Sequence, residues 1–111
     1  MTEARLKTEI RVSAHLRRAQ IAGAFATVVR RGDPDAGAVA VKLWLGRGRA
    51  RLFIQSRDLD GAFVWRELFE DEASAQDIEA KIDAWLAKEA KIDPDLWVVE
   101  IDDKDGRAFL D

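Results

Sequence analysis

Two acidic tripeptides are the first residues in this chain that could do chemistry. Asp33-Pro34-Asp35 and Asp93-Pro94-Asp95 hold both prolines of the 111-residue sequence, and each precedes an apolar run. Carboxylates are hard oxygen donors, so two such loops meeting at one end of a sheet could hold Mg²⁺. Turn chemistry explains the same residues without a metal, because proline presets φ and aspartate bonds its own backbone. Asp33, Asp35, Asp93 and Asp95 are therefore read as acidic loops, with no metal, no cofactor and no catalytic residue assigned. A basic set stands beside them. Arg47, Arg49 and Arg51 alternate and so share one face of a strand. With Arg30 and Arg31 they could meet phosphates, and Phe53 on the same face could stack on a base. The competing reading is a solvated face, or one neutralised by acids elsewhere in the chain.

Charge supplies those acids. Residues 1–57 carry 12 Lys+Arg against 4 Asp+Glu, and residues 58–111 carry 6 against 17, so +8 and −11 balance to the overall −3. Such a division hints at association through oppositely charged faces. It arises equally if the halves fold against each other. Nucleic acid is disfavoured as a partner because the acidic half repels phosphate. A second copy of the chain, or another protein, is the favoured partner, and no membrane is expected.

Other chemistry is thinly represented. There is no cysteine, which excludes disulfides and thiol catalysis, and the single histidine, His15, supports neither a His-rich metal site nor a Ser-His-acid set. Pro94-Asp95 followed by Asp102-Asp103-Lys104 resembles the metal-holding pattern of restriction-endonuclease-like nucleases, in which a lysine helps activate water. The spacing departs from that pattern. Six residues separate Asp95 from Asp102 on one strand, whereas the nucleases bring these groups together from neighbouring strands.

The elements that must position these residues follow from periodicity. A helix is expected from Thr8 or from after Val12, running toward Ala24. Its stripe is Val12, Leu16, Ala19 and Gly23, extended by Ile10 and Ile21, with Arg11, Arg17, Arg18 and Gln20 on the wetter side. Strands are expected over Phe25–Arg31, Ala38–Leu45, Arg49–Gln55 and Ala62–Phe69, the last with Phe63, Trp65 and Phe69 on one face. Gly46-Arg47-Gly48 makes a hairpin. Ser74 is expected to cap a second helix, with Asp77 as its acidic partner and four residues ahead of Lys81. That helix buries Ile78, Ile82, Trp85 and Leu86. Leu96 to Ile101 then reads as an interior strand, apolar on both faces. The order α-β-β-β-β-α-β gives an α+β domain over residues 1–111, with a largely antiparallel sheet of about five strands and two helices. Trp85 and Trp97 are both expected in the core.

No 18-residue apolar run and no secretory h-region is visible, so a cytoplasmic location is expected. Arg5-Leu6-Lys7-Thr8-Glu9-Ile10, Arg30-Arg31-Gly32-Asp33-Pro34-Asp35-Ala36-Gly37 and Asp93-Pro94-Asp95-Leu96-Trp97-Val98-Val99-Glu100-Ile101 together resemble a family of small bacterial single-domain proteins of unknown function. That resemblance implies a stand-alone domain and brings no activity with it. The residues themselves point to a non-enzymatic, macromolecule-binding or self-associating protein.

Overall fold

The computed structural model describes residues 6–72 and 75–111. In chain order the elements are α1 (Thr8–Ile21), β1 (Phe25–Arg30), β2 (Val39–Gly46), β3 (Arg49–Arg57), β4 (Phe63–Leu68), α2 (Ile78–Ile92) and β5 (Trp97–Asp102), with a 3-10 turn at Glu70–Glu72. The strands form one sheet in the order β1-β5-β2-β3-β4. Three pairings are antiparallel, and β2–β5 is parallel. The α+β expectation holds.

The two strands that are apolar on both faces, β5 and β2, take two of the three interior positions, as their composition requires. Trp97, Val99 and Ile101 of β5, with Val39, Val41 and Leu43 of β2, pack under Val12 and Ala19 of α1. On the other face Val98, Ala40, Ala50 and Leu52 pack under Ile78, Ile82 and Leu86 of α2. The sheet is thus covered by one helix on each side. Trp97 is 1% exposed and lies on the α1 side, whereas half-buried Trp85 packs on the α2 side. Both tryptophans contribute to a core, but not to the same one.

Helix α1 starts at Thr8 because that end is held. The Thr8 and Glu9 amides donate to the Asp35 and Pro34 carbonyls at 3.2 and 2.9 Å, and Thr8 Oγ1 donates to the Gly37 carbonyl at 3.0 Å. Amides that a helix leaves unpaired thus find partners in the 33–37 loop. Gly23, at φ +93°, ends the helix. Within it His15 is buried and half-buried Leu16 packs against the core, while Ile10 and Ile21 are exposed and do not extend the stripe. Phe69 also departs from expectation. It follows β4 at φ +60°, which turns its side chain to the α2-side core, away from Trp65 on the α1 side.

At the start of α2, Ser74 lies outside the described residues, and Asp77 makes no side-chain capping bond. Lys81 turns to Glu72 at 2.6 Å rather than to Asp77. The hairpin at Arg47-Gly48 has positive φ at both residues, as a type I′ turn requires, and the Gly48 carbonyl accepts the Glu79 amide at 2.9 Å. Beneath α2, buried Lys42 bonds Glu79 and Asp83 at 2.6 and 2.8 Å. Burial alone lowers the Lys42 pKa, but the bonds to Asp83 and Glu79 outweigh it and hold the ammonium above its ordinary range.

Two stability predictions follow from this layering. Trp97→Ala is expected to cost about 3–5 kcal/mol and Trp85→Ala at most about half of that, measured by urea denaturation. Lys42→Met should stay within about 1 kcal/mol of wild type, because the two carboxylates it leaves are partly exposed. Removing both acids as Glu79→Ala with Asp83→Ala strands a buried cation, and should cost about 3 kcal/mol or more.

Candidate functional site

The two acidic loops do meet, and they meet through backbone. The Asp33 amide donates to the Asp95 carbonyl at 3.0 Å, and the Trp97 indole Nε1 donates to the Asp33 carbonyl at 2.7 Å. A side chain at Gly32 or Gly37 would overlap the Asp95 carbonyl. The carboxylates are occupied locally. Asp33 Oδ2 accepts the Asp35 and Ala36 amides at 3.2 and 2.8 Å, and Asp93 Oδ1 accepts the Asp95 amide at 3.1 Å. Asp35 pairs with Lys7 at 3.6 Å. Among the described residues no three His, Cys, Asp or Glu side chains are grouped to hold a metal ion.

The nuclease-like set is not brought together. Asp95 precedes β5 and Asp102 ends it. Seven residues at a strand's rise put them about 20 Å apart. Asp103 is turned to Arg107, which reaches it through its backbone amide, Nε and a terminal nitrogen at 2.9, 2.8 and 3.0 Å.

The five arginines do not form one patch either. Arg30 pairs in register with Val98 near the start of β5, whereas Arg49 pairs with Gly46 at the other end of the sheet. Arg30 donates to the Pro94 and Leu96 carbonyls at 2.9 and 2.6 Å. Arg31 pairs with Glu9 and stacks on Trp97. Arg51 bonds both oxygens of Glu67, at 2.9 and 2.6 Å, and lies over Phe53. Arg47 and Arg49 are exposed at the hairpin. The Arg51–Glu67 and Lys42–Glu79 bonds join the basic half to the acidic half, so part of the charge division is spent internally.

Two features stand out that the pattern of charges did not mark. One is the outer edge of β1, where Phe25 is 77% and Val29 58% exposed and no strand among the described residues pairs. The other is a cleft of about 320 Å³ between the start of α1, residues 35–38, the end of β3 and the start of β4. Half-buried Arg11 borders it, bonded to Gln55 Oε1 at 2.9 Å and lying 4.2 Å over the Phe63 ring. Arg11 was expected on the wetter side of α1. Its partners are more than forty residues away, and no local spacing signals them.

Beside the cleft the chain after β5 is laid along α1. His15 Nε2 lies 2.8 Å from the Ala108 carbonyl and therefore donates to it, and Arg18 donates to the Phe109 carbonyl at 3.0 Å. The Trp65 indole donates to Asp111 Oδ1 at 2.8 Å, and Ala108, Phe109 and Leu110 pack on the α1-side core. Burial pushes the His15 pKa below its ordinary 6.5, against the opposing bond to Ala108. Arg107 holds Asp103 down from 3.8 to about 2.

Both shifts make the unfolded chain the better proton acceptor on acidification, so both contributions are lost as pH falls. The His15 contribution is full above pH 6.5 and declines below it. The Asp103 contribution declines between about pH 4 and pH 2. Thermal midpoints recorded against pH should show the two steps separately, with His15→Leu removing the upper one and Asp103→Asn the lower.

Among the described residues no helix is long and apolar enough to cross a membrane. A family model described as a protein of unknown function (DUF1491) matches residues 6–111. The crystal structure of a DUF1491 family protein from Caulobacter crescentus CB15 is 47% identical, with a TM-score of 0.82 over 96% of this chain and 95% of that one. A solution structure of a protein from A. tumefaciens is 33% identical, with a TM-score of 0.73 over 96% of this chain and 93% of that one. None of the curated proteins compared with the chain matches it.

Proposed function

We infer a role for this chain, which belongs to the DUF1491 family of proteins of unknown function, from its bare sheet edge: it is a non-enzymatic domain that associates with a second copy of itself through β1. The observation that carries the reading is the exposure of Phe25, Val28 and Val29 on a strand with an unpaired outer side. Soluble proteins usually guard such edges with lysine, proline or inward charge. Here the guards are slight. One bulge lies between Val28 and Arg30, and the Gln20 side chain donates to the Ala26 carbonyl at 3.3 Å. The opposite edge, β4, also exposes Phe63 and Val64, though less than Phe25 and Val29 are, and carries the exposed Arg66 between its apolar residues.

A second copy suits this edge better than an unrelated strand. Antiparallel pairing of β1 with itself is two-fold symmetric, so the contact closes and does not propagate. It sets Arg30 of one copy opposite Phe25 of the other, and Phe25 is already in register with Asp102. Arg30, Phe25 and Asp102 would then stand in one row across the contact. Arg30 binds backbone carbonyls within its own chain and makes no ion pair among the described residues, so its charge is available.

Sedimentation velocity over a range of protein concentrations and at low and high salt tests the reading. The wild type should dimerise, and Phe25→Lys with Val29→Lys should be monomeric yet still unfold cooperatively, with a midpoint that no longer rises with protein concentration as the wild type's does. A wild type that stays monomeric throughout, or a dimer that survives both lysines, overturns it.

A further inference from the structure

We propose that the cleft at Arg11 binds a small carboxylate with an apolar body. The inference is independent of the β1 contact, since β5 and β2 lie between β1 and the strands that line the cleft. It starts from a guanidinium that no carboxylate meets directly among the described residues. Arg11 is half-buried and makes no ion pair among the described residues; its neighbours are the neutral Gln55 amide and the Phe63 ring. The acids around it are engaged elsewhere. Glu9 pairs with Arg31, Asp35 with Lys7, and Asp111 accepts the Trp65 indole while remaining within electrostatic reach of Arg11.

A guanidinium has five N–H donors in a planar fork, and the bond to Gln55 uses one nitrogen. The donors left over match the two oxygens of a carboxylate, and partial desolvation strengthens such a pair relative to open water. Gln55 fixes the fork from one side and the Phe63 ring from below, so little side-chain freedom is lost when an anion arrives. Size and lining select the rest of the ligand. About 320 Å³ is at the lower end of small-molecule pockets. The walls include Leu6, Ala36, Ala38 and Phe63, and Ser56 adds a hydroxyl, while Thr8 donates its own to the Gly37 carbonyl. A compact acid with an apolar or aromatic body satisfies both the cation and the walls. Inorganic phosphate satisfies only the cation.

Titration followed by amide chemical shifts tests this, with benzoate and hexanoate as probes and benzyl alcohol and inorganic phosphate as contrasts. Both acids should bind in a saturable manner and shift the amides of Ala38, Gln55 and Ser56. Arg11→Gln should weaken them by about tenfold or more, the loss expected for a charge-assisted bond. Phe63→Leu keeps the charge and should weaken benzoate more than hexanoate, which gives a second readout if Arg11→Gln does not fold. No saturable shift at these amides, equal binding of benzyl alcohol, equal binding of phosphate, or undiminished affinity in a folded Arg11→Gln, or in Phe63→Leu where Arg11→Gln does not fold, overturns the proposal.

Discussion

The fold depends on one close approach of backbone to backbone. At Gly32 and Gly37 the 32–37 loop passes so near the Asp95 carbonyl that no side chain fits, and the Asp33 amide and carbonyl are both used in closing the contact. This junction seats Trp97 at the head of β5 and offers the Pro34, Asp35 and Gly37 carbonyls to the start of α1. Three distant segments are thereby fixed to one another by hydrogen bonds that need neither metal nor disulfide. The three stretches that carry the family resemblance are the three that meet here. The acidic tripeptides are therefore joints of the scaffold, with the Asp33 and Asp93 carboxylates folded back on nearby amides.

Much of this was legible in the sequence. The unbroken apolar run after Pro94 placed β5 inside the sheet, and the alternation of Val39, Val41 and Leu43 placed β2 beside it, because only an interior strand can bury both faces. The start of α1 stayed ambiguous because Thr8 to Val12 alternates like a strand. The resolving interaction, the bond from Thr8 to Gly37, is not local. Phe69 was misassigned because a left-handed residue breaks the period of two that strand reading assumes.

The functional features were less legible for the same reason. Arg47, Arg49 and Arg51 drew attention by spacing, yet the arginine that faces a cleft is Arg11, which looks like an ordinary solvated helix residue until β3 and β4 are folded beside it. The charge division was real in the sequence, but its meaning depended on which residues met. Arg51 with Glu67, and Lys42 with Glu79 and Asp83, turn part of it into internal pairing. The exposed edge of β1 could not be seen either, because strand order is a property of the whole sheet.

The strand order also sets a timetable for a chain made from its N-terminus. Strands β2, β3 and β4 are joined by short turns and can pair as they emerge. Among the described residues strand β1 has one sheet partner, β5, and Val28 must wait for Val99. Helix α1 waits still longer, since Ala108 and Phe109 supply the carbonyls that His15 and Arg18 bind. During translation, therefore, the first thirty or so residues stand beside a nascent hairpin sheet whose β2 edge is open. Non-local closure of this kind is slow. On a crowded polysome, the waiting α1–β1 segment of one chain is at liberty to claim the β5 of its neighbour, so reciprocal exchange of that segment is the misassembly this strand order leaves open.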